Sequence, residues 1–199
     1  MRILVLTPRG DYASEVAAQW AEALATHAPT LLSGDDVSVD QLVRELAGDR
    51  PDLVCYFGHG QPDAWGAYRQ ATGGNQFQVI LSVPDALQLA GQTVIAVACH
   101  TATTLGPASV TAGAVRYVGF RSVVSWLPHV PLTLAAVTAC IRDLLKEVTL
   151  KSGTPSAEDL HRVIATHLGH WRDLANWGDP GAGTALAHVR LIEDGLSFL

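Results

Sequence analysis

Three short apolar runs, Ile3-Leu4-Val5-Leu6, Leu53-Val54-Cys55-Tyr56-Phe57 and Thr93-Val94-Ile95-Ala96-Val97-Ala98, constrain this chain more than any other feature. Each has strand length, and segments of helical periodicity lie between them. Residues 11–27 carry Val16, Trp20 and Leu24 at helical spacing, and residues 39–46 read as a second amphipathic helix. Alternation of strand and helix predicts an α/β fold around a mostly parallel sheet. Two of the runs end abruptly in chemistry: His59-Gly60 after the second and Cys99-His100 after the third. Side chains just beyond the carboxyl ends of neighbouring parallel strands converge on one crevice. His59 and Cys99 are therefore expected to meet there, as base and nucleophile, because the thiolate is the attacking species and a nearby imidazole favours it.

Composition narrows the setting. The chain has 199 residues, 48% of them hydrophobic and 16% charged, which suits one domain over residues 1–199. A net charge of −6 argues against a phosphate-binding surface, so nucleic acid is not expected as a partner. Cys55, Cys99 and Cys140 lie far apart, in neither a disulfide framework nor a zinc-site spacing, which points to a reducing compartment and to no metal. The apolar run after Arg2 is too short for an export signal, and no later run suits a bilayer span. The expectation is a cytoplasmic protein with no membrane partner and no cofactor.

Further along, residues 61–75 read as a polar, glycine-bearing loop with Trp65 and Tyr68, followed by a strand over 77–83. Residues 84–89 read as a connection. After Cys99 a stretch rich in Thr, Ala and Gly runs to Gly113, and 115–118 and 122–126 are both β-rich. Residues 132–150 and 157–174 have helical composition, with Thr154-Pro155-Ser156 as a start signal for the second.

Four motifs, in order, resemble the caspase-like cysteine peptidases of the CHAT type. They are Tyr56-Phe57-Gly58-His59-Gly60, Ala98-Cys99-His100-Thr101, the stretch from Gly119 to Pro128 that includes Ser122-Val123-Val124-Ser125-Trp126, and Gly153-Thr154-Pro155-Ser156-Ala157-Glu158. The resemblance spans most of the chain and implies a three-layer caspase-like sandwich with helices on both faces of the sheet. It implies a cysteine endopeptidase, or thiol protease, acting through a thioester on a protein or peptide substrate. A regulatory protein partner in bacterial signalling or defence follows from the same likeness. By this analogy the backbone N–H groups of Gly60 and Cys99 hold the oxyanion, and Gly60 suits that role because it lets the main chain come close. The specificity pocket is expected among the loops around the site. Arg9 is the candidate partner for a carboxylate, Asp11 and Asp63 are candidates for a basic side chain, and Trp126 is a candidate wall. The sequence offers no third triad member. Two departures concern specificity: His100 stands where Glu is frequent, and Val97 where Ser is frequent. The segment between Cys99 and Val115 leaves no room for a cleavable linker.

Other readings stand beside these. Cys55 and Cys140 sit in apolar runs and read as core. His161, His167 and His170 share a predicted helix without zinc-ligand spacing. Gly181-Ala182-Gly183-Thr184-Ala185 lacks the strand and lysine of a phosphate loop and reads as a plain loop, and Asp35-Asp36 reads as a turn. The competing functions are a catalytically inactive caspase-like module that binds a protein, and a flavodoxin-like regulatory domain.

Overall fold

A computed structural model describes residues 1–48, 50–151 and 155–199. Their contacts group into two compact units, Met1–Arg121 with Ser197–Leu199, and Ser122–Leu196.

The first unit is α/β. Strand β1 (Ile3–Thr7) leads into helix α1 (Tyr12–Trp20), which tightens into a 3-10 segment over Ala21–His27. Strand β2 (Thr30–Ser33), helix α2 (Val39–Ala47) and strand β3 (Leu53–Phe57) follow. Next come three antiparallel strands, β4 (His59–Gln61), β5 (Ala64–Ala71) and β6 (Gly74–Ser82), and then a 3-10 segment over Val83–Leu89. Strand β7 (Thr93–Val97), helix α3 (Leu105–Thr111) and strand β8 (Arg116–Phe120) complete this run, and β9 (Leu196–Phe198) returns at the end of the chain. The main sheet has the order β2-β1-β3-β7-β8-β9, and a separate sheet has the order β4-β5-β6. Every pairing from β2 through β8 is parallel. At the far edge Tyr117 and Leu199 exchange both backbone hydrogen bonds, at 3.0 and 2.9 Å, so that contact is antiparallel.

The apolar runs explain the burial. Leu4 and Leu6, Val54 and Tyr56, and Val94 and Ala96 point to one face, where they join Leu42 and Leu46 of α2, Leu89 and Leu105. The alternate residues, Ile3, Val5, Leu53, Cys55, Phe57, Ile95 and Val97, are buried as well. Helix α1 packs on β1 and β3, and its buried Val16 and Trp20 lie outside the first cluster. Strands covered on both faces read as continuous rather than alternating apolar runs, which is how these three stood out in the sequence.

Four expectations need correction. Residues 64–71 form strand β5 rather than a loop, because Trp65 is fully buried, stacked on Tyr56 with ring centroids 4.7 Å apart. Its hairpin partner β6 begins at Gly74, after a turn in which Gly73 and Gly74 both take positive φ. Residues 122–126 form no strand; the Ser125 carbonyl is taken by His188 Nδ1 at 2.9 Å rather than by a neighbouring strand. Residues 182–185, expected as loop, open a helix. Strands β2 and β9, of four and three residues, are too short for their pattern to be read from the sequence.

The second unit contains α4 (Pro131–Leu150), α5 (Ala157–Asn176) and α6 (Ala182–Gly195), each in contact with the other two. Buried positions recur at helical spacing: Val137, Cys140, Ile141 and Leu144 on α4, Leu160, Ile164, Leu168 and Trp171 on α5, and Ala185, Val189 and Ile192 on α6. A capping box between Ser156 and Asp159 starts α5, while Gly153 and Thr154 of the predicted start motif lie outside the described residues. Among the described residues no helix is long and apolar enough to cross a membrane.

Candidate active site

The register between β3 and β7 brings the two reactive segments together. These strands pair in parallel from Leu53↔Thr93 to Phe57↔Val97, a constant offset of forty. His59 and Cys99 each stand two positions beyond the last pair, so both lie just past the same end of adjacent strands that run about 4.8 Å apart. Past Phe57 the chain stays against β7, with Gly58 donating its N–H to the Val97 carbonyl at 3.4 Å. The downstream Pro62 carbonyl accepts the N–H groups of Thr104 and Leu105, at 3.1 and 2.8 Å, at the start of α3.

Gly60 marks the closest approach. A Cβ there would overlap the Cys99 carbonyl oxygen and come within 2.5 Å of the Thr101 methyl and 3.0 Å of Ala98 Cβ. Only glycine lets the His59 strand lie this close to the Cys99 turn. That turn is itself constrained: His100 has φ +61, a left-handed conformation that costs a non-glycine residue about 1–2 kcal/mol. His100 Nδ1 donates to the Arg121 carbonyl at 3.1 Å, and Thr103 N–H bonds back to the His100 carbonyl at 2.9 Å. Cys99 is partly exposed.

His59 has a carboxylate partner that sequence reasoning missed. Its Nε2 donates to Asp11 Oδ2 at 2.7 Å, with both side chains 24% exposed. Asp11 is also the N-cap of α1, where its Oδ1 accepts the Ser14 N–H at 2.8 Å. Partial burial works to raise the Asp11 carboxyl, but the Ser14 amide and the His59 ring outweigh it and hold the group below the ordinary carboxylate range. One signal was available: Asp11 follows the loop after β1, the strand next to β3, so its side chain belongs to the same sheet end as His59.

The backbone on either side of the site is tied by a buried aromatic network. The Tyr56 hydroxyl lies 2.8 Å from the His59 carbonyl and 2.6 Å from the Gly66 carbonyl, and accepts the Gly66 N–H at 3.1 Å. Trp65 stacks on the Tyr56 ring and donates its Nε1–H to the Tyr117 hydroxyl at 3.0 Å. Tyr117 is in turn hydrogen-bonded to Thr101, whose own hydroxyl donates to the Ala98 carbonyl at 3.3 Å. Burial pushes both tyrosine hydroxyls well above their ordinary range, so they remain neutral donors and acceptors.

Each pocket candidate has its own setting. Asp11 is engaged by His59 and its own helix. Arg9 is exposed and paired with Glu15 at 3.2 Å. Asp63 is exposed in the turn between β4 and β5. Trp126 belongs to the second unit, where it is half-buried.

Cys55 and Cys140 differ sharply from Cys99. Both are buried, and desolvation raises both thiols, Cys140 to about 12 with a further push from Asp143. Of the helix histidines, His167 pairs with Asp143 at 3.1 Å. Among the described residues no cluster of three His, Cys, Asp or Glu side chains is arranged to hold a metal ion. No protein-family model matches the chain, and neither does any curated protein.

Proposed function

We propose that the chain is a cysteine endopeptidase of the caspase-like, CHAT type, with Cys99 as nucleophile and His59 as the proton carrier. The observation that carries this reading is the packing of Gly60 on the Cys99 carbonyl, which brings the backbone next to His59 against that of Cys99 at one sheet end. The same reading takes the parallel sheet, buried on both faces, as the centre of a three-layer caspase-like sandwich.

In this mechanism the Cys99 thiolate attacks the scissile carbonyl and the proton resides on His59. Because Nε2 is occupied by Asp11, Nδ1 is the nitrogen that exchanges protons with the reacting groups. Asp11 fixes the ring and stabilises the imidazolium, the third member that the sequence had not offered. The carbonyl oxygen becomes an oxyanion held by the N–H groups of Gly60 and Cys99, each such donor being worth roughly 2.7–4 kcal/mol. Collapse of the tetrahedral intermediate breaks the C–N bond, His59 protonates the leaving amine, and a Cys99 thioester remains. Water, deprotonated by His59, then hydrolyses the thioester and regenerates the thiol. A cytoplasmic setting accords with three free cysteines, and the same reading includes a protein or peptide substrate and a regulatory protein partner.

The test is cleavage of a peptide library by the wild-type chain and by Cys99→Ala. Cleavage at a defined sequence preference, lost in the variant, supports the peptidase. Equal cleavage by both, or none by either, refutes it, and the absence of cleavage favours the inactive protein-binding module.

A further inference from the structure

We propose that the β5–β6 hairpin is the positioning element of the Asp11–His59 pair, with Arg69 as its anchor. This deepens the peptidase reading and rests on it for its catalytic meaning. Three contacts from two successive residues of β5 converge on the loop 8–11 and on the His59 ring. The Arg69 guanidinium donates Nη1–H to the Arg9 carbonyl at 2.6 Å and Nη2–H to the Gly34 carbonyl at 2.7 Å, joining the loops that follow β1 and β2. Its ion pair with Asp35, at 2.8 Å, is peripheral because Asp35 is 96% exposed. The Tyr68 carbonyl oxygen lies only 2.5 Å from where a Cβ on Gly10 would stand, so the loop rests directly on the hairpin backbone. The Tyr68 ring meets the His59 ring edge-on, with centroids 4.8 Å apart and planes at 78°. Behind it, Phe77, its cross-strand partner, supports the Tyr68 ring at 5.5 Å.

The consequence concerns Asp11, which follows this loop directly. Its carboxylate must reach His59 Nε2 with one oxygen and cap α1 with the other, so its placement depends on where the loop is held. Arg69 fixes that loop through a planar, two-armed donor that spans two carbonyls. A lysine in its place keeps the charge and loses the span. With three acceptors already engaged, Arg69 is an anchor rather than a cation for substrate.

The experiment uses the full chain labelled with 15N-histidine. The wild type is expected to show a low-field, exchange-protected His59 Nε2–H resonance that Asp11→Asn abolishes. Arg69→Lys is expected to broaden or erase that resonance in protein that remains folded, and to slow iodoacetamide alkylation of Cys99 about tenfold. The alkylation effect of Arg69→Lys should vanish in an Asp11→Asn background, because the two act through one joint. Gly10→Ala perturbs the same joint from the loop side, and it carries the test if Arg69→Lys does not fold. Retention of the resonance in both variants, or an alkylation effect that multiplies with that of Asp11→Asn, overturns the proposal. The resonance needs no turnover, so a chain that cleaves no peptide refutes the peptidase reading and leaves the positioning claim to be decided by the spectra.

Discussion

Replacing Gly60 with alanine tests the joint on which the site depends. The added methyl would stand 2.5 Å from the Thr101 methyl, where ordinary contact begins at 3.4 Å, and it would overlap the Cys99 carbonyl outright. Thr101 is fully buried and has no room to retreat, and neither has Ala98, 1% exposed, whose Cβ would stand 3.0 Å away. The β4 strand and the Cys99 turn must therefore separate by roughly 1 Å, at an overpacking cost of about 1–3 kcal/mol. A displacement of that size between reacting groups lowers reactivity by about a hundredfold. The assay has two parts, urea unfolding for stability and the second-order rate of Cys99 alkylation by iodoacetamide. Gly169→Ala serves as the control, because nothing lies within 4 Å of a Cβ at that position in α5, and there alanine should stabilise the helix by about 0.5–1 kcal/mol. A Gly60→Ala protein that alkylates within twofold of the wild-type rate and unfolds within about 0.5 kcal/mol of it would refute the claim that the His59 and Cys99 segments are packed together.

Three further outcomes are expected. Tyr117→Phe strands the buried Trp65 Nε1–H without its acceptor and should lower the urea midpoint by the equivalent of about 1–3 kcal/mol at unchanged m, whereas a loss below about 0.5 kcal/mol would mean the network carries no stability. Asp159 is held at about 2, below its ordinary 3.8, first by the Ser156 backbone N–H, so its contribution is present above pH 4 and is lost as pH falls from about 4 towards 2. Acid unfolding of Asp159→Asn should show a shallower slope in that window, and an unchanged slope would contradict the assignment. Native protein treated with iodoacetamide should gain one adduct, at Cys99, with Cys55 and Cys140 modified only after denaturation; adducts on all three in folded protein would show the cores to be open.

The fold was legible where one residue pattern decided the structure. Strands β1, β3 and β7 are buried on both faces, so their apolar runs needed no knowledge of neighbours, and the helices α2, α4 and α5 carried their own periodicity. Strand β5 was not legible because Gly66, Arg69 and Gln70 break its apolar pattern, and its pairing depends on Trp65 finding Tyr56 in space. Strand β9 depends likewise on an edge of β8 some eighty residues earlier in the chain. At the site, His59, Gly60 and Cys99 could be named because each follows a readable strand. Asp11 was read as a pocket acid because its pairing with His59 is set by the order of β1 and β3 in the sheet and by the hairpin that holds its loop. Arg69 and Tyr68 lie in a segment whose sequence reads as a loop, where nothing local distinguishes an anchor from a solvated side chain.

The most direct measurement is covalent capture by a pool of peptidyl acyloxymethyl ketones, read by intact mass and by the modified residue. The wild-type chain should be labelled once, on Cys99, and His59→Ala should label at least tenfold more slowly under the same conditions. Labelling of the two proteins at equal rates, or no labelling of Cys99 while denatured protein reacts freely, would contradict a shared thiol–imidazole site.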